Sequence, residues 1–138
     1  MNDLLIGITM KSDDLLDQTF EFLNKTLGYR NQLKMNHWQT KSYAEHKLID
    51  DLIDSIDENT DKIAEATLGA YGRPKINTTS NNVSDIAISS TEYTLECINK
   101  DIQEMLKLYK ETEQEGIFAL FGDFDGEIKK FLFLSTLS

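Results

Sequence analysis

Apolar residues recur every three or four positions over most of this chain, in long stretches separated by polar segments without periodicity. Three or four residues make one turn of an α-helix, so each periodic stretch predicts an amphipathic helix. No segment shows the strict apolar–polar alternation of a half-buried strand. A chain of 138 residues is long enough for one domain with a buried core. The pattern therefore predicts a single all-α domain over residues 1–138.

The periodic stretches predict four helices. The connection between the first and second is short, which favours antiparallel neighbours, whereas the connection between the second and third is long enough to cross a bundle. We therefore expect a four-helix bundle with a longer connection between helices two and three, preceded by an N-terminal arm over residues 1–12. The four helices are expected at about 12–38, 42–68, 84–113 and 116–137.

Two serines mark possible helix starts. Ser42 is followed three residues later by Glu45, which is the spacing of a capping box. Ser89 and Glu92 have the same spacing, so the third helix could begin there or earlier.

Glycine and proline mark the other helix boundaries. The segment 69–74, "GAYGRP", is expected to end the second helix. Gly122 and Gly126 fall inside the fourth helix and predict a kink or a break.

Composition narrows the possible partners. A formal net charge of −10 argues against a nucleic-acid-binding surface, because such affinity comes largely from lysine and arginine.

The apolar run 4–8 is too short to span a membrane and has no basic stretch before it, unlike a signal peptide. Cys97 is the only cysteine and cannot form an internal disulfide, which favours a reducing compartment such as the cytoplasm.

The second helix has an apolar side and a separate acidic side when its residues are placed at about 100° intervals. The apolar side is expected to face the core and comprises Leu48, Ile49, Leu52, Ile56 and Ile63. The acidic stripe comprises His46, Asp50, Asp54, Asp57, Asp61 and Glu65.

Like charges one helical turn apart repel each other, and no lysine is interleaved along the acidic stripe. A bound cation would relieve that repulsion, and carboxylates with imidazoles suit iron, manganese or zinc. His37, at the end of the first helix, is the chain's other histidine and lies a short link away from His46. A solvated acidic face with two incidental histidines is the alternative interpretation of the same residues.

The motif that spans these two helices resembles that of the Dps-type mini-ferritins of the ferritin-like superfamily. Those proteins carry a histidine–tryptophan pair at the end of the first helix, which here is His37-Trp38. A histidine and an aspartate one turn apart follow, and then an aspartate and a glutamate one turn apart. The matching residues here are His46 and Asp50, then Asp61 and Glu65.

The resemblance implies a ferritin-like bundle that binds and oxidises Fe(II), with one or two irons per site, at a centre shared between two copies of the chain. His37, His46 and Asp50 would come from one copy, and Asp61 and Glu65 from its symmetry mate. The link between the two histidines is shorter than in the family, so the turn between the helices must differ. The basic tail that some members use to bind DNA is missing, which agrees with the negative charge.

The segment "TKSYAEHK" is also similar to short ferritin-like proteins encoded by tailed bacteriophages. This similarity implies an alternative function, that of a structural subunit of a phage head or tail. The metal site would then be vestigial or would hold a structural metal, and other virion proteins would be partners.

Overall fold

A computed structural model describes residues 12–74 and 89–137, which contain four α-helices and no strand. The all-α four-helix prediction is confirmed for this part of the chain. Of the expected N-terminal arm, only Ser12 lies within the described residues, and it is the first residue of the first helix. The helices are α1 (Ser12–Gln39), α2 (Tyr43–Tyr71), α3 (Thr91–Lys110) and α4 (Glu115–Leu134).

Helix α2 begins at the predicted serine. The Ser42 hydroxyl accepts a hydrogen bond from the Glu45 backbone N–H at 3.1 Å, as an N-cap should. The Glu45 carboxylate accepts from the Thr40 hydroxyl, not from the Ser42 N–H, which instead donates to the Thr40 side-chain oxygen. Gly72 ends the helix with a φ of 83°, and its N–H donates to the Leu68 carbonyl.

Helix α3 begins one residue later than the second possible capping box implies. Ser90 is the N-cap, and its side chain accepts from the Tyr93 N–H at 3.1 Å. Ser89 instead lies before the helix, with its hydroxyl 2.8 Å from that of Thr94. The earlier start, near residue 84, lies outside the described residues.

Helix α4 runs without interruption through both of its internal glycines, so the predicted break is wrong. Gly122 and Gly126 lie on the exposed side of the helix. Each glycine costs a helix roughly 0.5–1 kcal/mol relative to alanine. The opposite side of α4 buries Phe121, Phe124 and Ile128 completely, and this burial outweighs that cost.

The relative directions of the helices follow from contacts between their ends. The Asn36 side-chain amide near the end of α1 donates to the Ser89 carbonyl just before α3. At the other end, the hydroxyls of Thr19 and Tyr109 lie 2.7 Å apart. Helices α1 and α3 are therefore antiparallel, and so are α1 and α2, which a three-residue link joins. Helices α2 and α3 thus run in the same direction, and residues 72–90 connect opposite ends of the bundle.

Each helix packs on two neighbours, because α1 and α4 both contact α2 and α3. Aromatic rings fill the centre, where the Phe22 ring lies 5.3 Å from Phe121 and 6.4 Å from Phe124. The expected core side of α2 is confirmed, with Leu48 partly and the other four residues fully buried. No helix among the described residues has the length and apolar character needed to cross a membrane.

Candidate metal centre

The two histidines meet where α1 passes into α2. The His37 Nδ1 atom lies 2.9 Å from the His46 carbonyl oxygen, and the His46 Nδ1 atom lies 2.9 Å from the His37 carbonyl oxygen. Their rings stack with centroids 3.8 Å apart. His37 is 7% exposed and His46 is half-buried. The reciprocal hydrogen bonds close the short link between the helices.

These hydrogen bonds also decide which ring nitrogen is free to bind a ligand. A carbonyl oxygen can only accept, so each Nδ1 carries the hydrogen and donates it. In a neutral imidazole the other nitrogen, Nε2, then keeps its lone pair. A backbone carbonyl that accepts from Nδ1–H in this way is one of the usual second partners of a metal-binding histidine.

Asp50 is the carboxylate next to this histidine pair. One of its oxygens lies 3.7 Å from the His37 Nε2 atom, which is too long for a hydrogen bond but close enough for both atoms to share a cation. The Asp50 side chain is 47% exposed, so the carboxylate is open to a ligand from outside the bundle. The structure therefore places His37 beside two other predicted ligands, His46 and Asp50.

The other two predicted ligands lie elsewhere on the same chain. Asp61 and Glu65 are exposed and one turn apart on α2. Asp61 follows Asp50 by eleven residues, which is about 16 Å along a helix. A single ion with ligand distances near 2 Å cannot bridge that gap. Among the described residues of one chain, no group of three or more His, Cys, Asp or Glu side chains is arranged to hold a metal ion.

One carboxylate of the acidic stripe, Asp57, is paired with a cation from the neighbouring helix. The Arg30 guanidinium, from α1, donates to both oxygens of Asp57, with Nε–Oδ1 at 2.6 Å and Nη2–Oδ2 at 3.0 Å. The repulsion along the stripe is thus partly relieved by a neighbouring helix. A helical wheel of α2 alone cannot show this, because the cation belongs to the other helix of the hairpin.

A shallow groove of about 530 Å³ lies between α1 and α2, beside the second half of the acidic stripe. Phe20, Leu23, Leu27 and Ala64 give it apolar walls, and Asp57 and Asp61 are its carboxylates. Leu27 is 44% exposed, so part of the groove's apolar wall is open to solvent. At about 100° per residue, Asp50 lies about 20° from both Asp57 and Asp61, so it is on the same side of α2 as the groove.

Fold and site together define an all-α bundle protein with a histidine–carboxylate cluster at the closed end of its first hairpin. The chain belongs to DUF5856, a family of unknown function, whose family model matches residues 37–134. The match begins at His37 and so includes all five predicted ligands. No curated protein and no solved structure matches the chain.

Proposed function

We propose that this protein binds Fe(II) and oxidises it at a centre shared between two copies of the chain, as the Dps-type mini-ferritins do. Iron is the substrate, one or two ions per centre, with manganese and zinc as the alternative metals. The cytoplasm of a bacterium, or of a phage-infected cell, is the expected location.

The observation that carries this proposal is the paired hydrogen bond of the two histidines. In neutral imidazoles it leaves Nε2 as the nitrogen with the free lone pair, next to the half-exposed carboxylate of Asp50. A mixed imidazole and carboxylate set suits Fe(II) and its neighbours in the first transition series. The long connection between parallel helices α2 and α3 adds support, because ferritin-like bundles have one such crossover.

A second copy supplies the remaining ligands in this proposal. Asp61 and Glu65 are exposed, lie about 16 and 22 Å from Asp50 along α2 and have no role in the core. In a two-fold dimer whose α2 helices face each other in antiparallel orientation, the acidic pair of one copy meets the histidine end of the other. The dimer then holds two equivalent centres.

Oxidation follows from the charge of such a centre. Carboxylates stabilise Fe(III) more than Fe(II), because the electrostatic attraction grows with the charge of the ion. A pair of Fe(II) ions can then give two electrons to hydrogen peroxide, which takes up two protons and leaves as water. Dioxygen is the alternative oxidant.

Anaerobic titration with Fe(II), followed by addition of peroxide, tests the proposal. We expect saturable binding at one or two irons per chain and rapid oxidation in an oligomer of defined mass. The double variant His46→Ala/Asp50→Ala should remain helical and lose the binding. Lys47→Ala/Asp51→Ala is the matched control, since it alters two exposed α2 residues at the same spacing. Equal binding by wild type and the His46→Ala/Asp50→Ala variant would refute the site.

A structural role in a phage virion is the second proposal; it rests on the similarity of the segment 40–47 to phage-encoded proteins, and it gives the histidine pair a purely structural role. Reciprocal hydrogen bonds and ring stacking would lock the α1–α2 turn whether or not a metal binds. In this case the protein should occur at a fixed stoichiometry in purified phage particles, which quantitative mass spectrometry can measure. Its absence from the particles, together with saturable iron binding, would favour the first proposal.

A further inference from the structure

We propose that the outer side of the α1–α2 hairpin is a self-complementary surface, in which Trp38 of one copy fills the α1–α2 groove of a second copy. The register of the two copies rests on the proposed function, because it is the register that brings Asp61 and Glu65 to the partner's Asp50. The insertion of Trp38 is an additional claim that the proposed function does not require.

Trp38 is a large apolar side chain left open to solvent. It is 65% exposed, although the indole ring is among the costliest side chains to leave in water. At about 100° per residue, Phe20, Leu27 and Trp38 lie within 20° of one another on α1. Trp38 therefore points from the same side of α1 as the groove that begins at Phe20 and Leu27.

The positions along the helices match in a two-fold arrangement. The midpoint between Asp50 and Asp61 lies between residues 55 and 56 of α2, and the adjacent Asp57 is joined to Arg30 of α1. Trp38 follows Arg30 by eight residues, and Leu23, in the groove, precedes it by seven. Each offset is about 10–12 Å along α1. A two-fold axis near the Arg30–Asp57 pair thus places Trp38 of one copy level with the groove of the other.

Charge complements shape at this contact. The Lys34 ammonium lies over the Trp38 ring, 5.7 Å from its centroid, and so accompanies the indole into the groove. The groove carries the carboxylates of Asp57 and Asp61 along one wall. The ammonium and the indole N–H are hydrogen-bond donors, and the carboxylates are acceptors. One copy of the surface therefore carries both the donors and the acceptors that such a contact needs. An isologous interface requires this self-complementarity.

Trp38 is the only tryptophan of the chain, so its fluorescence reports this contact without a label. We would follow sedimentation and acrylamide quenching of the metal-free, full-length protein over a range of concentrations. We expect Trp38 emission to move to shorter wavelength, and its quenching to fall severalfold, as the chain associates. Leu27→Glu, which places a charge in the groove outside the proposed ligand set, should weaken association by about tenfold or more. Phe133→Ala removes a similarly exposed aromatic side chain, 62% exposed, from α4 and should change neither readout.

The outcomes separate this inference from the proposed function. A chain that stays monomeric at every concentration, or an oligomer in which Trp38 is quenched as readily as in the monomer, overturns the inference whatever the iron binding. An oligomer with an accessible Trp38 would mean that the copies associate without placing this side chain in the groove. An oligomer with protected Trp38 and no iron binding supports the inference and refutes the proposed function.

Discussion

At the level of single residues, the histidine pair shows how one set of contacts can have a structural and a chemical consequence. The Nδ1 hydrogen bonds hold the end of α1 to the start of α2, and they leave Nε2 free. The same contacts therefore give a testable effect on stability that does not depend on metal.

We expect His37→Ala and His46→Ala to destabilise the metal-free protein by about 1–3 kcal/mol each, because each removes a hydrogen bond and a stacked ring. Their effects should not be additive, since the rings stack on each other, and the coupling should be about 0.5–1.5 kcal/mol. Urea unfolding of wild type, the two single variants and the double variant measures this coupling energy. Strict additivity would mean that the stacked arrangement contributes nothing to stability.

Asp101 is a second residue whose environment makes a prediction. Its Oδ2 atom is buried without a hydrogen-bond partner, although the Lys25 ammonium lies 3.5 Å away. Burial raises the pKa of Asp101 above its ordinary value of 3.8, against the opposing effects of Lys25 and of a hydrogen bond from Tyr29. The folded protein thus holds this proton more tightly than the unfolded chain does.

The Asp101 contribution to the free energy of unfolding should therefore be greatest below pH 3.8 and should fall as the pH rises through the raised pKa. Asp101→Asn cannot ionise and removes this dependence. We expect the stability of wild type relative to the variant to decrease from acid to neutral pH, measured by urea unfolding at each pH. A difference that grows with pH would mean that Lys25 and Tyr29 outweigh burial.

At the level of the helices, α4 departs most from the sequence prediction. Gly122 and Gly126 suggested a break, yet both are helical and have nothing within 4 Å of an added Cβ atom. Gly72 differs from them, because it ends α2 with a backbone φ of 83°. Residues that have a Cβ atom rarely adopt this conformation.

Gly122→Ala and Gly126→Ala should each stabilise the protein by roughly 0.5–1 kcal/mol, since alanine loses less backbone entropy in a helix and meets no clash. Gly72→Ala has equally open surroundings and should destabilise it because of the positive φ alone. Thermal unfolding of the three variants provides the comparison. Loss of stability in both α4 variants would show that their glycines are needed for a contact outside the single chain.

At the level of the whole molecule, the features that could be predicted from the sequence are those that depend on residues close together along the chain. The helices, the Ser42 cap and the core side of α2 follow from side-chain spacing and capping chemistry, and they are confirmed. Arg30 could not be placed beside Asp57, because that contact depends on the register between two helices. The reciprocal histidine contacts also depend on the conformation of a three-residue turn, which spacing does not specify.

The same distinction applies to the candidate site. The resemblance to the Dps-type mini-ferritins predicts five ligands but not their distances, and in one chain the structure places only His46 and Asp50 beside His37. The separation of about 16 Å between Asp50 and Asp61 makes the proposed centre depend on a second copy. That dependence is the central claim, and complementation between two defective variants tests it.

The decisive measurement mixes His46→Ala/Asp50→Ala protein with Asp61→Ala/Glu65→Ala protein, after dissociation and reassembly, and counts the iron bound. Neither variant alone should bind, because each lacks one half of every centre. Random pairing should restore about a quarter of wild-type binding, since half of the dimers are mixed and each mixed dimer has one complete centre. A mixture that binds no more iron than its separate components, although mixed dimers are present, would contradict a centre shared between copies.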